Sequence, residues 1–228
     1  MNILAIDTAT EILSASLKTD KGQWYIEIDA GLRHSELFME MCENLTNMAE
    51  ISRQDLNLIA CMQGPGSFTG LRIGFAAAKG MSTALGIPFI SIPTLDCMAY
   101  PYSFWPGYVL PVIDAKKQCF FTALYHQDTL IHDYADVQIE EILSFLPDDK
   151  PIVVCGPAAE LFAKKTQEIS HSFTFIFDTK NKSAYAKNLL DKAENRYIIN
   201  ESKGDSPVSG PMYLRKSDAE LSIVKQPV

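Results

Sequence analysis

The chain has 228 residues, of which 47% are hydrophobic and 21% are charged, and its formal net charge is −8. This length allows one large or two small domains, with a core that needs no metal or disulfide to hold it together. The acidic balance argues against a broad basic surface for nucleic acid, so we expect another molecule to supply the cations for any contact with RNA.

The sequence carries no sign of a membrane or secretory role. The opening "MNILAIDTAT" lacks a basic n-region and soon reaches Asp7, so we expect no signal peptide. No apolar run approaches the ~18 residues of a transmembrane helix. The five cysteines are odd in number and form no CxxC pair. Buried free thiols in a cytoplasmic protein are the expectation.

The first half opens with three predicted strands, "NILAID", "EILSASLKT" and "QWYIEID", separated by turn residues. From Ser35 the apolar spacing becomes helical. The strand "LNLIAC" and a helix rich in small residues follow, and Gly86 is the expected left-handed cap of that helix. The strand "IPFISI" comes next, and Thr94 is the expected N-cap of "LDCMAY".

A proline- and aromatic-rich stretch, "YPYSFWPGY" at 100–108, is interpreted as a domain junction. We therefore expect an N-terminal domain at 1–100 and a C-terminal domain with an extended tail at 101–228. The second half repeats the opening, with predicted strands "YVLPVIDA", "QCFFTALY" and "TLIHDYADV" before helices and strands alternate. Two halves of this kind predict a duplicated α/β fold with a mixed sheet in each domain, as in actin, sugar kinases and Hsp70.

The glycine-rich stretch "QGPGSFTGLRIG", residues 63–74, lies between a predicted strand and a predicted helix, as a phosphate-binding loop would. A Walker loop fails because Thr69 stands where the second glycine is needed, and no lysine follows before Lys79. The dinucleotide fingerprint fails by one residue, because Gly70 comes one position late. Two interpretations remain, turn building with close helix packing or phosphate binding, and we favour the first.

No constellation of catalytic residues emerges from the pattern. The four histidines lack the i, i+4 spacing of a metal-binding helix, and we expect His34 to be a solvated residue at a helix start. Asp7 closes the first strand, where it could hold magnesium through water or cap turn amides, and Asp114 stands at the equivalent place in the second half. Ser67 lacks a nucleophile elbow. We predict no catalytic, cofactor-binding or metal-binding residues.

The two early helices are candidates for a partner interface. One carries a leucine- and methionine-rich stripe and the other a face of small residues, which permits close helix approach. Core packing is the alternative interpretation, and we favour the partner surface. The predicted interface residues are Leu37, Phe38, Met41, Leu45, Gly70, Leu71, Gly74, Phe75 and Ala78.

Five motifs in order, "ILAIDTAT", "RHSE", "GPGSFTGLRIG", "AKGMSTALGIP" and "PMYLR", resemble those of the TsaB family, once called YeaZ. The resemblance implies the non-catalytic subunit of the bacterial machinery that makes threonylcarbamoyladenosine in tRNA. It also implies an actin-like fold and a paralogous catalytic partner, TsaD. Thr94 and Met98 stand where TsaD has its metal-binding histidines, and "IDAKKQC" lacks the glycines of its phosphate loop.

This resemblance further implies a scaffold that activates TsaD, for modification of the adenosine next to the anticodon in tRNAs reading codons that start with A. The ATPase TsaE is the further expected partner, and the chain alone is expected to form a homodimer. Contact with tRNA is expected only through the complex, and ATP or ADP at the subunit interface is left open. The alternative is an actin-fold enzyme, either a weak ATPase or a metalloprotease-like hydrolase.

Overall fold

The computed structural model describes residues 1–31, 33–179 and 184–215. It contains two five-stranded sheets and six α-helices within those ranges. The elements of the first half are β1 (Ile3–Asp7), β2 (Ile12–Lys18), β3 (Gln23–Asp29), α1 (His34–Met48), β4 (Leu58–Gly64), α2 (Phe68–Leu85), β5 (Phe89–Pro93) and α3 (Thr94–Ala99). Those of the second half are β6 (Tyr108–Asp114), β7 (Cys119–His126), β8 (Thr129–Gln138), α4 (Ile139–Phe145), β9 (Ile152–Cys155), α5 (Ala159–Thr166), β10 (Phe175–Phe177) and α6 (Ala186–Ile199).

The two sheets repeat one topology. The first has the strand order β3-β2-β1-β4-β5 and the second has the order β8-β7-β6-β9-β10. In each, the first strand pairs antiparallel with the second and parallel with the fourth. The strand order and directions are those of a duplicated actin-like fold, so the predicted fold class is confirmed.

Successive side chains along a strand point to opposite faces of the sheet, and this divides the core into layers. Leu4 and Ile6 of β1 face α1 and α2, whereas Ile3 and Ala5 face the opposite side of the same sheet. That opposite side shares one cluster of buried side chains with α3, α6 and the second sheet. Helices α4 and α5 cover the outer face of the second sheet. The two sheets therefore enclose a common central core, with α3 and α6 between them.

Helix α6 lies against the first sheet, although the sequence-based division assigns it to a C-terminal domain of 101–228. Its buried residues Leu189, Leu190 and Ala193 pack in the cluster that holds Ile3 and Ala5. The second half thus returns its last helix to the first sheet, because the apolar face of α6 is buried there. The tail beyond α6 also contacts the first sheet, as Met212 donates its amide to the Gln63 carbonyl at 2.7 Å.

Capping residues mark both ends of α2 and the start of α3. The Ser67 hydroxyl accepts the Gly70 amide at the start of α2, and Gly86 ends α2 with φ of 66°, as predicted. The Thr94 prediction is wrong: Pro93 is the N-cap of α3 and Thr94 is the first helical residue. No helix in the described part of the chain has the length and apolar character required to cross a bilayer.

Candidate functional site

A groove of about 910 Å³ opens between the two halves of the molecule. The glycine-rich loop and the β1–β2 turn form one wall, and the β6–β7 turn forms the other. The tail residues Met212–Arg215 complete it. The groove lies where the carboxyl ends of the central strands β1, β4 and β6 meet, which is where open α/β sheets place their ligand sites.

The glycines of the "QGPGSFTGLRIG" loop serve close packing against the β1–β2 turn. A Cβ atom on Gly70 would lie 2.0 Å from the Thr8 carbonyl oxygen, and one on Gly66 would lie 2.5 Å from that of Ala9. At Gly74 it would lie 2.5 Å from the Thr8 hydroxyl. The Thr8 hydroxyl also donates to the Gly70 carbonyl at 2.7 Å. These contacts support the turn-building interpretation of the loop.

Asp7 is completely buried at the end of β1. One carboxylate oxygen accepts the Ala9 amide at 3.0 Å and the other accepts the Tyr185 amide at 3.0 Å. Burial raises the pKa of Asp7 to about 6, although the two amide hydrogen bonds oppose the rise. Of the two interpretations left open for Asp7, the structure supports capping of backbone amides. It also shows that Asp7 joins the first turn to the N-terminus of α6.

Asp114 occupies the equivalent end of β6 but lies partly exposed at the groove. Its carboxylate accepts the Lys116 amide and the Lys116 ammonium, each at 2.8 Å. Partial burial would raise the pKa of Asp114, but these hydrogen bonds from Lys116 outweigh it and lower the pKa. The positive charge of Lys116 is therefore already paired within the chain.

His34 is buried, which makes the prediction of a solvated residue wrong. Its side chain is 6% exposed, and Nε2 lies 2.9 Å from the Thr10 carbonyl oxygen. The residue before it, Arg33, is the N-cap of α1. His34 thus ties the first turn of α1 to the β1–β2 turn, a long-range contact that sequence spacing does not reveal.

The predicted partner interface is mostly core. Eight of its nine residues are buried, and only Leu37 is partly exposed. Met41 is 1% exposed and Leu45 is 0% exposed. The stripe of α1 packs with Phe75 and Ala78 of α2 on one side of the first sheet, whereas Leu71 lies in the central cluster. Gly70 and Gly74 lie against Thr8. Their apolar periodicity reports burial within this chain, so these buried side chains cannot form a surface for a partner without rearrangement.

The opposite face of α2 is the exposed one. Ala76, Gly80 and Ala84 are exposed on it and Ile73 is partly exposed, and the exposed Arg72 stands one turn before Ala76. Nothing lies within 4 Å of a Cβ atom built on Gly80. The two nearest cationic side chains are engaged in contacts within the chain. Lys79 donates to the Pro207 carbonyl at 2.8 Å, and the Arg72 guanidinium lies 4.0 Å from the Phe68 ring centroid. The helical period places these residues opposite the buried Leu71, Phe75 and Ala78, a signal already present in the sequence.

Among the described residues, no group of three or more His, Cys, Asp or Glu side chains is arranged to hold a metal ion. Thr94 is fully buried at the start of α3. The five cysteines are free, and all are buried except Cys119, which is half-buried. Burial raises the pKa of the Cys42 thiol to about 12, as expected for an unreactive core cysteine.

The chain matches known proteins over most of its length. The family model described as "TsaD: tRNA N6-adenosine threonylcarbamoyltransferase" matches residues 28–204. TsaB of Bacillus subtilis is 28% identical over 233 residues, covering 99% of both chains. TsaB of Escherichia coli is 37% identical over 131 residues, covering 56% of both chains. YeaZ from Pseudomonas aeruginosa has the same fold, with a TM-score of 0.80, 22% identity, and coverage of 93% of this chain and 99% of that one.

The duplicated sheets define an actin-like protein, and the match over residues 28–204 places it in the protein class that this family model covers. Within that class, the match to TsaB of Bacillus subtilis over 99% of both chains adds a narrower assignment. The chain belongs to the TsaB/YeaZ family, as the sequence motifs predict.

Proposed function

We propose that the chain is a non-catalytic subunit of the machinery that makes threonylcarbamoyladenosine in tRNA. In this role it binds the catalytic subunit TsaD and activates it for transfer of the threonylcarbamoyl group to the adenosine beside the anticodon. The names of the relatives support a part in this biosynthesis. The replacement of the expected metal-binding histidines by Thr94 and Met98 supports a non-catalytic part.

The exposed face of α2 is the observation on which the partner assignment rests. Ala76, Gly80 and Ala84 form a row without charge and without long side chains. The centres of protein interfaces are depleted of charged residues, and helices approach more closely where the contacting side chains are small. We call the exposed row Ile73, Ala76, Gly80 and Ala84 the docking face. It replaces the buried set of the sequence analysis as the proposed contact.

Helix α1 extends this surface beside the docking face. The two helices pack against each other on the first sheet, and Met39 on α1 is 50% exposed. Methionine adapts to irregular partner surfaces. A partner of the same fold would present an equivalent helix pair, and the two pairs would form a four-helix contact. The same geometry accounts for the proposed homodimer of the chain alone.

Substitutions at Gly80 test this proposal, because the site can accept a side chain without disturbing the fold. Gly80→Arg places a long charged side chain in the middle of the docking face and should weaken binding to TsaD at least tenfold, about 1.4 kcal/mol. Gly80→Ala keeps the face small and uncharged and should bind within about threefold of the unchanged chain, less than about 1 kcal/mol. Size exclusion with light scattering and calorimetry measure both. Wild-type affinity of Gly80→Arg would contradict the proposed contact.

The wider assembly follows from the same proposal. TsaE is the further partner, ATP or ADP binds at the interface between the chain and TsaD, and tRNA binds through the complex in the cytoplasm. The net charge of −8 supports indirect contact with RNA. Within the complex, the basic tail residues Arg215 and Lys216 are a further candidate for contact with RNA; Lys216 lies outside the described residues.

The volume of the groove favours a second candidate function, a weak ATPase. About 910 Å³ is ample for a nucleotide, and Lys117 lies on one wall beside Lys116, whose charge pairs with Asp114. Calorimetry of the isolated chain with ATP and magnesium distinguishes the two. The scaffold proposal predicts no tight binding to the chain alone, and the enzyme predicts micromolar binding. The same titration with zinc tests the metalloprotease-like alternative.

A further inference from the structure

The tail after α6 crosses from the first half of the molecule to the second. Asp205 is anchored at the edge strand β5, where its amide donates to the Phe89 carbonyl at 2.7 Å. One of its carboxylate oxygens accepts the Ser91 amide at 2.8 Å and the Ser91 hydroxyl at 2.6 Å. The other pairs with the Arg196 guanidinium at 2.6 Å. This anchor is well shielded, because the Asp205 side chain is 8% exposed.

The middle of the tail lies on the glycine-rich loop and the start of α2. Besides the Met212–Gln63 hydrogen bond, the Met212 carbonyl oxygen would be 2.6 Å from a Cβ atom on Gly64, so the two backbones are in direct contact. The Tyr213 ring packs 4.6 Å from the Phe68 ring, centroid to centroid. The Arg72 Nε donates to the Tyr213 hydroxyl at 3.2 Å.

The last described residue of the tail reaches the second sheet. Arg215 donates to both carboxylate oxygens of Asp136 on β8, at 2.6 and 2.7 Å. It also donates to the Ala115 carbonyl beside the β6–β7 turn at 3.1 Å. The Asp136 side chain is 10% exposed and that of Arg215 is 26% exposed. A two-point guanidinium–carboxylate pair with this shielding has a fixed direction and resists screening by salt.

We propose that residues 205–215 act as an interdomain clasp, with the Arg215–Asp136 pair as its latch. The clasp fixes the width of the groove and holds the start of α2 in a set orientation relative to the second sheet. Two-domain proteins with a cleft usually open and close it by hinge motion. In this chain one short segment joins both walls of the groove, so the halves move together. The inference depends only on the fold and is independent of the proposed partner.

Hydrogen exchange of the full chain tests the clasp, with Arg215→Gln as the perturbation. Without the latch, both walls of the groove should open more often. The amides of the β6–β7 turn (115–118) and of the first part of the glycine-rich loop (64–70) should therefore exchange at least tenfold faster. Lys164→Gln is the matched control, since it removes the exposed Lys164–Glu160 pair on α5. The control should leave both walls unchanged.

Asp136→Asn and the double variant make the result specific to the latch. Asp136→Asn should give the same two-wall pattern, and combining it with Arg215→Gln should add less than twofold, because both remove one interaction. Circular dichroism confirms that each variant is folded. The clasp is refuted if Arg215→Gln speeds exchange only within 211–215, or if the two single variants affect exchange independently.

Discussion

Alanine substitution at two glycines of α2 separates close packing from helix propensity. Gly70 and Gly80 lie in the same helix, and each gains helix propensity of about 0.5–1 kcal/mol when changed to alanine. Their surroundings differ completely. A Cβ atom on Gly70 would lie 2.0 Å from the Thr8 carbonyl oxygen and 3.2 Å from the Ser67 Cβ, whereas nothing lies within 4 Å at Gly80.

Gly70→Ala is expected to lower the stability of the chain, and Gly80→Ala is expected to raise it. Overpacking of a close contact costs about 1–3 kcal/mol, and the contact at Gly70 is backbone that cannot rotate away, so Gly70→Ala should lose about 1–2 kcal/mol net of the helix gain. For a chain of this size that lowers Tm by about 2–8 °C. Gly80→Ala should instead gain about 0.5–1 kcal/mol and raise Tm by about 1–4 °C.

Urea unfolding and thermal scans, followed by circular dichroism at one protein concentration, measure both variants. A Gly70→Ala chain as stable as the unchanged chain would refute the packing role of the glycine-rich loop. Equal shifts in the same direction for both variants would show that helix propensity alone decides, and would equally contradict the structure.

Two further predictions concern α1 and Asp7. Met41→Asp puts a charge into the core and should lower the free energy of unfolding, measured in urea, by about 3 kcal/mol or more. Met39 is half-exposed, so Met39→Asp should change that free energy by less than about 0.5 kcal/mol. Equal losses for the two variants would contradict the assignment of the α1 faces. Asp7 has a folded pKa of about 6 against 3.8 when unconstrained, so the folded state binds more protons between these values. Ionisation of Asp7 should therefore lower the free energy of unfolding by about 3 kcal/mol as pH rises from 4 to 6. This loss should be absent when the free energy of unfolding of Asp7→Asn is measured against pH. Parallel pH profiles for the two chains would contradict the prediction.

Hydrophobic periodicity predicted the elements and the duplication because both depend on local pattern. The strand "QWYIEID" matches β3 residue for residue, and the cap at Gly86 has the positive φ expected of it. The same periodicity could not say what an apolar stripe packs against. The stripe containing Met41 is covered by the chain's own first sheet, whereas the involvement of these two helices in a partner contact stays a prediction.

Long-range contacts account for the rest of what the sequence did not reveal. His34 bonds to Thr10, α6 returns to the first sheet, and Arg215 pairs with Asp136 at a separation of 79 residues. None of these partners is fixed by spacing, because each depends on how the two halves fold back on each other. The glycine-rich loop could be predicted in part. The sequence alone shows that the loop lacks a complete phosphate-binding motif, but it does not show the contact of the loop with Thr8.

Reconstitution of tRNA modification from purified components tests the central claim most directly. The chain, TsaD, TsaE, tRNA and threonylcarbamoyl-adenylate are combined, and each protein is omitted in turn while threonylcarbamoyladenosine is measured by mass spectrometry. A non-catalytic activating subunit predicts no product from the chain without TsaD, and a large loss of product from TsaD without the chain. Product formed by the chain in the absence of TsaD, or undiminished product in the absence of the chain, would contradict the proposed function.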